Sequence, residues 1–223
     1  RAAREGLIGV STTNADPLVI PFGGRDAALG TNPIAFAAPV PGGEVFCLDM
    51  ATSQVAINRI FNARDDGRAI PEGWGVDAAG RTTTDPAAVA AAVPLGGYKG
   101  YGLAIMVEIL SGVLSGAGVG HGVAPLYGDR GAPQDVGHIH LALDPGPLVG
   151  TDAFAERLGG LLASLSASVP GEGSEEVLVP GEPEARALRE RSEHGIPLPP
   201  FMWNALREAG EALGVTPPPA AGF

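Results

Sequence analysis

Short apolar runs separated by turn residues dominate the first fifty positions. Leu7–Val10, Leu18–Ile20, Ile34–Ala38 and Val45–Leu48 each have strand length. Pro21-Phe22-Gly23-Gly24, Gly30-Thr31-Asn32-Pro33 and Pro41-Gly42-Gly43 supply the turn chemistry between them. Ahead of these runs, Arg1 to Gly6 reads as the end of a helix, with basic residues in its last turn and a glycine at the left-handed stop. A domain rarely opens on the end of a helix, so a further segment is expected upstream. From Thr52 to about Gly120 the pattern turns helical. Thr52 or Ser53 is placed to cap a helix carrying Val55, Ile60 and Ala63 and ending at Gly67. Asp85-Pro86 is a cap followed by a proline at the first helical position, opening a short Ala-rich helix. Leu103–Leu114 is apolar on nearly every side, which predicts a buried helix. Beyond Gly137 we expect a strand at His138–Leu143 and a helix capped by Asp152, with Phe154, Leu158, Leu161, Leu162 and Leu165 on one face. A short strand at Glu176–Val179 follows, then a charged helix from Pro183 to His194 stopped by Gly195, a last helix at Phe201–Leu213 and a loose tail at Pro217–Pro219.

Composition narrows the class. Gly and Pro make up about a quarter of the 223 residues, near the level that signals low complexity. Yet 45% of residues are hydrophobic and only 17% charged, the reverse of a disordered chain. The length allows one large domain or two small ones. A net charge of -11 argues against nucleic acid and against an anionic membrane surface. No apolar run reaches the roughly 18 residues of a membrane span, the longest being broken by Glu108, Ser111 and Gly112. The single cysteine, Cys47, forbids an internal disulfide, so a reducing cytoplasm is the expected compartment.

Several familiar sites fail on context. The glycines of 116–122 imitate a dinucleotide fingerprint, but they follow a helix where a working fingerprint follows a strand, so a flexible loop is expected. His138 and His140 share a strand face without a clear third metal ligand, so no metal site is assigned. Cys47 sits in an apolar strand, the setting of an inert thiol.

Three segments keep two readings. Val45-Phe46-Cys47-Leu48-Asp49-Met50-Ala51 is a strand ending in a carboxylate just before a helix start; Asp49 could accept from ribose hydroxyls, or Asp49 and Ser53 could simply cap the helix. Gly96-Gly97-Tyr98-Lys99-Gly100 holds the only lysine beside thirteen arginines. Poised before a helix, its ammonium could hold a phosphate or carboxylate, or it could be a plain surface residue. Thr13-Asn14 and Thr31-Asn32 each follow an apolar stretch, where such side chains bind a substrate carboxylate or make ordinary turns.

Taken in order, Thr13-Asn14-Ala15, Pro21-Phe22-Gly23-Gly24, Leu29 to Phe36, Asp49-Met50-Ala51-Thr52-Ser53, Ile70-Pro71-Glu72-Gly73-Trp74, Thr83-Thr84-Asp85-Pro86, Gly96 to Leu103, Pro180-Gly181-Glu182-Pro183 and Gly195-Ile196-Pro197 resemble the malate/L-lactate dehydrogenase family that lacks the Rossmann fold. The resemblance spans essentially the whole chain. It implies an α/β fold with a largely antiparallel cofactor-binding sheet flanked by helices. The implied activity is hydride transfer between NAD or NADP and a small 2-hydroxy, 2-oxo or 2-imino acid, carried out by a homodimer. Cofactor contacts carry over to Val45, Phe46, Cys47, Leu48, Asp49, Met50 and Ala51, to Tyr98 and Lys99, and to Gly181, Glu182 and Pro183. Thr13, Asn14, Thr31 and Asn32 are the substrate candidates. Residues 1–140 would form the cofactor-binding region, and 141–223 would complete a substrate and dimer domain together with an upstream segment.

The chain also departs from the family. Members run roughly half as long again, with the extra length at the N-terminus. That part carries a Ser-His-Gly motif whose histidine moves the proton, an arginine for the substrate carboxylate and a second histidine. His121, His138, His140 and His194 match none of these motifs. Asn58-Arg59 stands where many relatives have Gly-Lys. The rival expectations are a non-catalytic relic or cofactor-binding module of the same fold, and a dimerisation partner for an intact paralogue.

Overall fold

The computed structural model describes residues 1–42, 45–126 and 133–216. Gly43 of the expected Pro41-Gly42-Gly43 turn and the tail expected at Pro217–Pro219 lie outside the described residues. Strand runs bounded by turns form a four-stranded sheet from β1 (Ile8–Thr13), β2 (Ile34–Pro39), β3 (Val45–Met50) and β7 (His138–Leu143), in the order β3-β2-β1-β7. Every pairing in it is antiparallel, as expected. Side chains alternate across a strand, so the register sorts the sheet into two faces. Val10, Phe36, Leu48 and Leu141 stand in one row across the apolar face, where Phe36 and Phe46 meet edge to face with centroids 6.1 Å apart. The other face is small and polar, with Gly9, Ser11, Ala37, Cys47 and Asp49. The 3-10 turn Ala2–Glu5 packs there: a Cβ on Gly9 would lie 2.9 Å from that of Ala2. Gly6 ends this turn at φ 81°, the left-handed stop anticipated for it.

A second layer gathers α1 (Ile57–Asp65) and a small antiparallel sheet of β4 (Gly75–Val76), β5 (Thr82–Thr83) and β6 (Ala91–Ala92). Its core is Val19, Val55, Ile60, Ala63, Ile70 and Ala92, with Trp74 packed against it. The expected strand at Leu18–Ile20 makes only single bridges, from Val19 to Leu29 and to Ala92. Thr52 and Ser53 do not cap α1. The Thr52 hydroxyl donates to Thr31 O and that of Ser53 to Val55 O, and the helix begins at Ile57. Asp85 does cap, accepting from Ala87 N, but over a single 3-10 turn (Pro86–Ala88).

The apolar run near the chain's centre forms α2 (Tyr98–Val107) and continues as a π-helical turn, Glu108–Val113. There Leu114 N reaches back five residues to Ile109 O at 2.8 Å, and Ala117 N to Gly112 O at 3.1 Å. The burial expected on every side is not observed. The packed side is small and polar, with Gly100, Ala104, Val107, Glu108 and Ser111. Leu103, Met106, Ile109, Val113 and Leu114 face outward, the last two more than 60% exposed.

Carboxamide and carboxylate contacts lock these layers. Asn32, fully buried at φ 36°, donates its two amide hydrogens to Ala104 O (3.0 Å) and Glu108 Oε2 (2.7 Å), and its Oδ1 accepts from Ala15 N. Glu108 Oε1 accepts from Gly120 N at 2.7 Å. Asn14 donates to Gly118 O and accepts from Gly137 N, and Thr12 shares a 2.7 Å contact with Ser111. The loop at 116–122 is therefore tethered rather than flexible.

The remaining helices are α3 (Gly146–Val149), α4 (Thr151–Ser166), α5 (Glu182–His194) and α6 (Pro200–Ala212), and none of them buries a residue fully. Gly150, not Asp152, stands at the start of α4, and Asp152 lies in its first turn. Gly195 stops α5 at φ 90°, as expected. The exposed surface is 14254 Å² for 22.5 kDa, against about 9,500 Å² for a compact monomer of that mass.

Asn32→Gly keeps the left-handed backbone and deletes only the amide. It should cost about 3 kcal/mol by stranding the Glu108 carboxylate, read as a lower urea midpoint at unchanged slope. Glu108→Gln should also lower the midpoint, because its NH2 would face one of the two donors, Asn32 Nδ2 or Gly120 N, from which the carboxylate oxygens now accept.

Candidate functional site

β3 is an edge strand, and what lines its open side defines the site. The segment 178–181 runs beside it, joined where Cys47 N donates to Pro180 O at 3.2 Å. This one bond makes no ladder, so the strand expected at Glu176–Val179 is an extended stretch without strand pairing. Gly181 then turns the chain into α5 at φ 100°, where a Cβ would lie 3.0 Å from Cys47 N and 3.2 Å from Val45 O. Only glycine combines that dihedral with that approach. Glu182 closes the turn, its N–H donating to Val179 O and its Oε2 accepting from Val179 N. The result is a cleft of about 280 Å³, walled by Cys47, Leu48 and Asp49 on one side and by 178–181 with Pro183 and Glu184 on the other.

At its far end β3 runs through Met50 and Ala51 into Thr52, whose N–H and hydroxyl both donate to Thr31 O (2.8 and 3.0 Å). Thr52 O in turn accepts from Leu95 N at 2.9 Å. Gly100 packs so tightly here that a Cβ would overlap Leu95 and the Thr52 carbonyl. This contact seats the first turn of α2 beside the end of β3. Tyr98 and Lys99 occupy that turn, both exposed, with the Tyr98 ring edge-on to Phe22 at 6.2 Å. Among the described residues Lys99 makes no ion pair. Gly97 N and Gly100 N already donate to Pro94 O and Leu95 O, so this end presents a cation beside the N–H groups of Tyr98 and Lys99.

All three sequence-predicted cofactor segments thus adjoin one strand: 45–50 is the strand with Ala51 just beyond it, 181–183 flanks it, and 98–99 stands at its end. The substrate candidates sit elsewhere. The Thr13 hydroxyl contacts Asn14 O and Gly137 O, and Thr31 acts through its carbonyl. The Asn14 and Asn32 amides are spent inside the fold as described above. Glu108, Ser111 and Glu184 are not among the sequence-predicted site residues. A lone carboxylate within an apolar helical run was the available signal for Glu108.

His138 and His140 stack at 6.2 Å, with His140 Nδ1 2.9 Å from the Ser11 hydroxyl. No group of three metal-ligating side chains occurs among the described residues. The back of the cleft is tied by Arg186, whose guanidinium bonds both oxygens of Glu176, with Nη2 at 2.9 Å from Oε2. These hydrogen bonds hold the Glu176 carboxyl below its ordinary value and raise that of Arg186.

The family model described as malate/L-lactate dehydrogenase matches residues 1–207. A ureidoglycolate dehydrogenase (NAD(+)) of Escherichia coli O157:H7 is 41% identical over 196 residues, covering 88% of this chain and 56% of that protein. A (2R)-3-sulfolactate dehydrogenase (NADP(+)) of Chromohalobacter salexigens is 38% identical, covering 93% and 60%. The solved sulfolactate dehydrogenase of Methanocaldococcus jannaschii superposes with a TM-score of 0.85 at 38% identity, covering 96% of this chain and 61% of that one. The chain therefore spans little more than half the length of these relatives.

A depressed carboxyl contributes stability above its unfolded value and loses it as pH falls through the folded one. Hydrogen-exchange protection of the amides of 177–179 should accordingly drop on acidification below the ordinary carboxylate value of 4.5. Glu176→Gln should show no such step.

Proposed function

The chain belongs to the malate/L-lactate dehydrogenase family, and from that premise we propose that it is the cofactor-binding part of an oxidoreductase acting on a small 2-hydroxy, 2-oxo or 2-imino acid with NAD or NADP. One observation carries this reading: β3 has a glycine-walled cleft at its middle and a cationic helix start at its end. The residues fit an extended dinucleotide. Gly181 lets the outer wall close on Val45 and Cys47 where a Cβ would press on the strand backbone, and Lys99 at the start of α2 suits a pyrophosphate. When bound, the nicotinamide ring supplies or accepts the hydride.

This chain's own groups bind and orient. In this proposal Val45, Phe46, Cys47, Leu48, Asp49, Met50 and Ala51 form the floor, with backbone N–H and C=O groups at the strand edge. Gly181, Glu182 and Pro183 form the outer wall, and Tyr98 and Lys99 hold the anionic centre. Thr13, Asn14, Thr31 and Asn32 act beneath the site, keeping α2 and the end of β3 in register. No histidine lines the cleft. The proton that accompanies the hydride is assigned to the histidine of the family's Ser-His-Gly motif, not to a residue of these 223. The relatives' names supply the substrate class: hydroxy acids such as ureidoglycolate and sulfolactate.

We further propose a homodimer in which the outward apolar surface of α2 and the π-helical turn after it is covered, since five large exposed apolar side chains between Leu103 and Leu114 are seldom left in water. Residues 1–140 act mainly in cofactor binding, and 141–223 lend the cleft its outer wall. No helix among the described residues is long and apolar enough to cross a membrane, and the proposed compartment is the cytoplasm.

Calorimetric titration of the chain with NADH should show saturable binding. Lys99→Ala should weaken it about tenfold, the worth of one charge-assisted contact. A folded chain that binds neither dinucleotide would overturn the reading.

A further inference from the structure

One face of α5 is open to solvent. Glu184, Ala187, Leu188 and Arg191 line a groove of about 770 Å³ along it, with Pro183 and Ser192 at the same spacing on either side. These positions recur at three- and four-residue intervals, so they share one side of the helix. Leu188, and Ile196 just past the Gly195 stop, are more than 60% exposed. Among the described residues neither Glu184 nor Arg191 has an ion-pair partner, whereas Arg186 between them pairs with Glu176.

This face is complementary to itself. Ala187 and Leu188 stand at its middle, Glu184 three residues before Ala187 and Arg191 three residues after Leu188. A two-fold axis between 187 and 188 lays α5 antiparallel on the same helix of a second copy. Each Ala187 then faces the other copy's Leu188, and each Glu184 meets the other copy's Arg191. Pro183 and Ser192 pair in the same way. That reciprocity is what an isologous contact requires. The acid and the base lie about 10 Å apart along the helix, equally far from the axis. The helix dipole accounts for an acid in the first turn and a base in the last. It does not account for an exposed leucine beside an alanine between them. Alanine lets two helices approach, and the opposing leucine fills the space above it.

We propose that α5 pairs antiparallel with α5 of a second copy of this chain, through Ala187 and Leu188 at the centre and two Glu184–Arg191 ion pairs at the flanks. Flanking pairs of this kind fix orientation and register more than affinity. The contact uses a different helix from the α2 surface, adds to the association proposed there and does not depend on the cofactor reading. Pro183 and Glu184 also line the cleft beside β3. The contact therefore brings the second copy's Arg191 to the outer wall of that cleft.

Sedimentation velocity of the 223-residue chain, without ligand and at low salt, should show association that grows with concentration. Glu184→Arg and Arg191→Glu each set like charges against each other twice across the axis. Each should weaken the association about tenfold or more. The double variant, with both signs exchanged, should recover it. An equimolar mixture of the two single variants should recover it too, since one copy then presents two bases and the other two acids. Recovery in the mixture also shows that both variants fold. Added salt should shrink every one of these differences. Single variants that associate as the unaltered chain does would overturn the proposal and leave the α2 contact standing. So would failure of the double variant or the mixture to recover. A chain that stays monomeric at every concentration would remove both contacts.

Discussion

The contact between the Asn32 carboxamide and the Glu108 carboxylate is the constraint on which the other layers rest. Asn32 belongs to the connection between β1 and β2, and Glu108 to the first widened turn after α2. Gly120 ties the following loop to the same carboxylate. A buried carboxylate is tolerated only when its lone pairs are met, and here one amide hydrogen and one backbone N–H meet them. Because the partners come from three separate stretches, none can shift without exposing an unmet charge. The arrangement gives α2 a fixed axial position, and so fixes its first turn against Thr52.

The π-helical turn is part of the same solution. Within this wider turn Glu108 and Ser111 both pack inward, where Ser111 meets Thr12 and its carbonyl lies against Gly137. Glycine at 137 is required by that approach, since a Cβ would overlap Ser111 O.

Much of this was legible where local chemistry decides. The strands β1, β2, β3 and β7, the Gly6 and Gly195 stops and the Asp85 cap are local events, and they stand where apolar runs and turn residues put them. The misreadings are tertiary. Thr52 and Ser53 have the composition of caps, but carbonyls of Thr31 and Val55 claim their hydroxyls. The 103–114 run is apolar all round, so its periodicity could not tell which side packs. The small side won because close approach to Asn32 and Thr12 leaves no room for leucine. At the site, the strand end and the helix start were readable as chemistry. The arrival of 178–184 at Cys47 was not, since nothing local announces a contact between distant stretches; only the family resemblance joined them.

β7 completes the sheet from far along the chain, and the Thr13 hydroxyl meets Gly137 across 124 positions of sequence. A chain emerging from the ribosome makes β1, β2 and β3 and must then extend through positions 51–137 before the fourth strand exists. During that interval the free edge of β1 offers unpaired amides to any passing strand. Sheets closed by such remote pairings form slowly. For this protein the vulnerable moment is thus the pause in synthesis between β3 and β7, when a neighbouring nascent copy can supply the strand that its own chain has not yet delivered.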